Sequence, residues 1–96
     1  MFPNYQPLAV RQVISRLMEY LIENPEAKDT LDGIERWWLG GAGPVWGHAT
    51  VELAIASLVR AGWMEIVADT PVVYTASDPG LHAATNWLNQ MHQNSR

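Results

Sequence analysis

Apolar residues recur at spacings of four, three and four along Val10, Ile14, Leu17 and Leu21, and Val13, Met18 and Ile22 widen the stripe. Such spacing gathers side chains on one side of an α-helix. It predicts an amphipathic helix over about residues 7–23. Pro7 can open it, because a missing N–H costs nothing in the first turn. Asn24-Pro25 stops it, because a residue before proline avoids helical geometry.

A second helix is predicted after Asp29 or Thr30, either of which can cap it, with Asp32 favourable near its positive end. Leu31, Ile34 and Trp38 supply its apolar face, with Trp37 as a further candidate. Gly33 weakens it by about 1 kcal/mol relative to alanine, so it should be short. Gly40-Gly41-Ala42-Gly43-Pro44 ends it. A third helix is expected from about His48 to Ala61, where Val51, Ala54, Ile55 and Leu58 share one face and Gly62 is the stop.

The period then changes. Trp63–Val67 and Pro71–Thr75 are β-prone segments around Ala68-Asp69-Thr70, which predicts a two-stranded hairpin. Asp78 as cap and Pro79 in the first position open a last helix with Leu81, Ala84, Leu88 and Met91 on its apolar face. Trp87 lies off that stripe, and Asn89 through Arg96 should fray. The predicted core joins Val51, Ala54, Ile55 and Leu58 to Ile14, Leu17 and Leu21.

With 96 residues, the chain has room for one domain, spanning 1–96 with an ordered core of about 7–90. Hydrophobic residues make up 48% and charged residues 17%, a globular composition. Neither a basic region followed by an apolar stretch nor a bilayer-spanning apolar run is present, so the expectation is a soluble cytoplasmic protein. Cysteine is absent, which excludes disulfides, thiolate nucleophiles and cysteine-based metal sites.

The order helix, helix, helix, hairpin, helix resembles the winged helix-turn-helix family. Ala49 through Met64 carries the likeness best: it is similar to that family's third helix running through a glycine into the first wing strand. Val73 through Gly80 is similar to the second wing strand and the entry to a closing helix, as in small bacterial regulators. The resemblance covers roughly residues 8–92. It implies an α+β winged-helix domain of three helices, a two-stranded wing and a closing C-terminal helix. It also implies a third helix that enters the DNA major groove, with Thr50, Glu52, Leu53, Ala56, Ser57 and Arg60 facing the groove.

The residues depart from that pattern. Recognition helices place Arg, Lys, Asn or Gln against base edges, whereas Glu52 repels phosphate and Leu53 and Ala56 make no hydrogen bonds. Six Lys+Arg face ten Asp+Glu, a formal net charge of −4, and no Lys or Arg lies between Arg60 and Arg96. Phosphate binding rests on such cations. Arg11, Arg16, Lys28 and Arg36 are interleaved with Glu19, Glu23, Glu26, Asp29, Asp32 and Glu35, the pattern of a solvated mixed-charge surface. The connector Gly40–Gly47 is longer than the family's turn of about 3–4 residues.

Little in the chain points to catalysis. The Gly40–Gly47 segment precedes a helix, as phosphate-cradling loops do, but it lacks the Lys-Ser/Thr ending and a preceding strand. His82 and His92 do not share a helix face, and His48 belongs to another element, so no metal site is expected. Ser15, Ser57, Ser77 and Ser95 have no nucleophile-elbow context. Glu19 and Glu23 form a helical pair of the kind found on solvated faces.

The resulting expectation is a non-catalytic, cofactor-free module acting through protein–protein contact or self-association as an oligomer. Five tryptophans in so short a chain, Trp37, Trp38, Trp46, Trp63 and Trp87, favour this, since tryptophan is enriched at interfaces. Trp46, His48, Leu53, Ala56 and Trp87 are the candidate contact residues, with a protein partner or homodimer in view. The alternative is a DNA-binding transcription regulator using the groove-facing residues of the third helix.

Overall fold

A computed structural model describes residues 8–39 and 46–94. Among them are four helices and a three-stranded antiparallel sheet. Pro7, the glycine-rich segment 40–45 and residues 95–96 lie outside the described residues, as do the side chains of Leu88, Met91 and His92.

The first helix, α1 (Leu8–Glu23), buries Val10, Val13, Ile14, Leu17, Met18 and Leu21. These are the stripe read from the sequence, with Ile22 half-buried at its border. α1 packs against both α3 (His48–Arg60) and α4 (Asp78–Asn94). From α3 come the buried Val51, Ala54, Ile55 and Leu58, and from α4 comes Ala84, which is fully buried. The core is therefore the predicted meeting of two apolar stripes, closed on one side by the last helix.

The short α2 (Leu31–Gly33) continues as a π-helical turn over Ile34–Trp38. Thr30 is its cap: the Oγ1 accepts from the Gly33 amide at 3.2 Å. Asp29 supports the cap by accepting from the Thr30 amide at 2.8 Å. A Cβ on Gly33 would overlap the Asp29 carboxylate and displace that side chain from the cap. Ile34 and Trp38 are buried. Trp37 faces water instead, 68% exposed, which corrects its candidacy for the apolar face.

α3 ends in a Schellman motif. The Trp63 amide donates to the Leu58 carbonyl at 2.9 Å and the Gly62 amide to Val59 at 3.0 Å. Gly62 has φ +83°, the left-handed conformation this motif needs. The chain then enters β2 (Met64–Asp69), turns at Thr70-Pro71, whose peptide is cis, and returns as β3 (Val72–Ala76). The turn thus lies beyond the predicted Ala68-Asp69-Thr70, and Pro71 belongs to it rather than to a strand.

The sheet has three strands where the pattern predicts two. Lys28–Asp29, here β1, pairs with Thr75 and Tyr74 of β3, so the strand order is β1–β3–β2. A two-residue strand is too short to show alternation. Its pairing is set by the chain returning 47 residues later, since Lys28 lies opposite Thr75.

The cap of α4 is Ser77 rather than Asp78. The Ser77 Oγ accepts from the Gly80 amide at 3.0 Å and donates to the Gly62 carbonyl at 2.6 Å. Asp78 sits in the first turn, where its charge favours the helix N-terminus. The helix runs through Asn94, so residues 89–94 are helical where fraying was expected. Trp87 is half-buried and packs against the core, so it belongs to the inward side of α4 rather than off its stripe.

Candidate interaction surface

α3 presents its outer face as the sequence spacing requires. While Val51, Ala54, Ile55 and Leu58 are buried, Glu52, Leu53, Ala56 and Arg60 are exposed, and Thr50 and Ser57 are intermediate. Leu53 is 57% exposed, a large apolar side chain turned to water. Ala56 follows three residues later on the same side of the helix. Hydrogen-bonding capacity on this face comes from Thr50, Glu52, Ser57 and Arg60, and only Arg60 is a cation.

The three other candidate residues are placed differently. Trp46 is half-buried against the core, and its indole N–H donates to the Gln12 Oε1 at 3.4 Å. It bridges the end of the glycine-rich connector to α1. Trp87, as noted, also packs inward. Neither is the projecting anchor that a high tryptophan count suggests; both close the edges of a small core. His48 is exposed at the first position of α3, and its Nδ1 pairs with the Glu35 carboxylate. That contact joins the π-helical turn to α3 across the connector.

Other apolar side chains are exposed where the sequence reading placed a plain hairpin. After Met64, every residue of β2 is exposed. Ile66, Val67 and Val72 are 51%, 48% and 38% exposed. A β-bulge between Ile66 and Ala68 interrupts the ladder to β3. The missed signal was the run Ile66-Val67-Ala68 beside Val72-Val73, which is apolar on both strand faces although only one face can meet the core.

Two cations of the helical side are engaged with acids. Arg36 pairs with Asp32 at 3.2 Å and Arg16 with Glu19 at 4.0 Å. Such exposed pairs add little stability, but they dilute positive potential. An open groove of about 480 Å³ lies between the end of α1 and β1, beside Tyr20 stacked on Trp38 at 5.0 Å. Its charged rim mixes Lys28 with Glu26 and Asp29. Among the described residues, no three His, Cys, Asp or Glu side chains gather as metal ligands. No described helix is long and apolar enough to cross a membrane. No family model, curated protein or solved structure matches the chain.

Proposed function

We propose that this domain is a non-catalytic interaction module of winged-helix type, in which the outer face of α3 contacts protein rather than DNA. The observation that carries the reading is Leu53, 57% exposed beside the exposed Ala56 on a helix whose opposite face is fully committed to the core. Exposed apolar surface that the domain cannot absorb marks contact sites. The order of the helices, with the β2–β3 hairpin between α3 and α4, supports the winged-helix reading, while β1 adds a third strand to the expected two. Trp46 and Trp87 drop out of the contact surface because they pack inward, and His48 remains at its edge.

Leu53→Glu tests the reading. The side chain is exposed, so the variant keeps its fold, and it loses association measured by light scattering or by binding to a protein partner. Unchanged association in a folded Leu53→Glu protein removes the α3 face from consideration.

DNA binding is the second reading, favoured by the element order and by the exposed Arg60 on the last turn of α3. Micromolar or tighter affinity for random duplex at near-physiological salt, lost in Arg60→Ala, would establish it in place of the first.

A further inference from the structure

Among the described residues β2 is an outer strand of the sheet, since in the order β1–β3–β2 no strand follows it. An outer edge presents a row of backbone N–H and C=O groups, a template for another strand. The base of the hairpin is held: Ser77 donates to the Gly62 carbonyl, and the Ser77 amide donates to Trp63 at 3.1 Å. Beyond Met64 the strand stands clear of the core and exposes Ile66 and Val67. Edge strands are commonly blunted by lysine or by a bulge, and here the bulge after Ile66 is the device present. Residues 61–76 contain no Lys, Arg or His. The exposed acids Glu65 and Asp69 flank the apolar run instead.

These charges discriminate between occupants. Antiparallel pairing of two copies over this segment would bring Glu65 near the other copy's Asp69, and parallel in-register pairing would set like on like. Like charges directly opposite destabilise a strand pair, and opposite charges stabilise it. Because of the bulge between Ile66 and Ala68, Glu65 and Asp69 lie opposite Thr75 and Val72, three ladder positions apart and on opposite faces of the sheet. An incoming strand with cations about 10 Å apart, the span of three extended residues, therefore meets both acids while its centre lies along Ile66 and Ala68.

We infer that the outer edge of β2 receives an extended peptide segment, added as a strand, with Lys or Arg at both ends of an apolar run. Main-chain hydrogen bonds would supply the affinity and the two acids the selectivity. This rests on reading the domain as an interaction module, but it uses a surface separate from Leu53.

The test uses the full chain and labelled synthetic peptides of alternating valine and threonine, ended by lysines or by glutamates. The lysine-ended peptide should bind at least about tenfold more tightly, the combined effect of two charge pairs changing sign. Glu65→Lys combined with Asp69→Lys should invert that order. N-methylation of alternate peptide amides, made on the ligand so that the protein is unaltered, should abolish binding. Leu53→Glu should leave peptide affinity unchanged, so its loss of partner association and a loss of peptide binding report on different surfaces. Equal affinity for both peptides, binding that survives N-methylation, or no binding of the lysine-ended peptide at about 1 mM overturns the inference. A dimer of the chain with exchange-protected β2 amides would also overturn it, assigning the edge to a second copy.

Discussion

The Thr75 hydroxyl donates a 2.8 Å hydrogen bond to the carbonyl of Ala27, 48 residues earlier in the chain. Thr75 is 8% exposed, a buried polar side chain whose partner is the backbone just ahead of β1. The bond thus completes the attachment of Lys28–Asp29 to β3, which two strand pairs alone would hold weakly. Thr75→Val keeps the shape but leaves the Ala27 carbonyl without its donor. The expected cost is about 1–2 kcal/mol, read from urea melts, with faster amide exchange at residues 28–29. Thr75→Ser, which keeps the hydroxyl, should retain that exchange protection.

Leu58 is the second position at which the fold can be tested. It is 2% exposed and lies on the face of α3 that meets α1. Leu58→Ala should cost about 2–5 kcal/mol, the sum of lost burial and the cavity left behind. A loss below about 0.5 kcal/mol would be the effect of a surface substitution and incompatible with this packing.

Gly80 tests the junction between the hairpin and α4. A Cβ there would overlap the backbone carbonyl of Trp63, which also accepts from the Ser77 amide. Alanine ordinarily strengthens a helix by about 1 kcal/mol over glycine. At Gly80 the sign should reverse, with destabilisation of about 1–3 kcal/mol or more from the forced backbone shift. Gly47→Ala, where a Cβ meets nothing within 4 Å, is the matched control for overlap.

Trp46 should behave as a packing residue. Its ring covers the core and its N–H reaches Gln12. Trp46→Ala should lower the melting temperature, whereas Leu53→Glu should leave it nearly unchanged. The two substitutions therefore separate stability from association: a Trp46 variant that melts like the parent but loses association would return Trp46 to the contact surface.

Random duplex DNA should bind weakly even at low salt. Phosphate affinity scales with the cations brought to the backbone. On the outer face of α3 that means Arg60, and on the hairpin none occurs between residues 61 and 76. Titration at two salt concentrations checks this, since a steep salt slope would reveal several phosphate contacts.

The helices were legible because their signal is local. The spacing of Val10, Ile14, Leu17 and Leu21, or of Val51, Ala54, Ile55 and Leu58, records which side of each helix must leave water, and burial follows that spacing residue for residue. The exposure of Leu53 and Ala56 was legible for the same reason, as the complement of a buried stripe. Gly62 announced the end of α3 through a backbone conformation that glycine adopts without a side-chain clash.

What periodicity could not carry, the tertiary structure decided. Lys28–Asp29 is a strand because β3 returns beside it, and Thr75 meets Ala27 only across 48 residues. Ser77 rather than Asp78 caps α4 because the Gly62 carbonyl lies within reach of its hydroxyl. The tryptophans are divided in the same way. Adjacent in sequence, Trp37 faces water and Trp38 is buried on Tyr20, while Trp46 and Trp87 turn inward. A tryptophan is apolar enough to prefer burial wherever room exists. Which ones find room depends on the cavities left between elements, and those exist only after α1, α3 and α4 have packed.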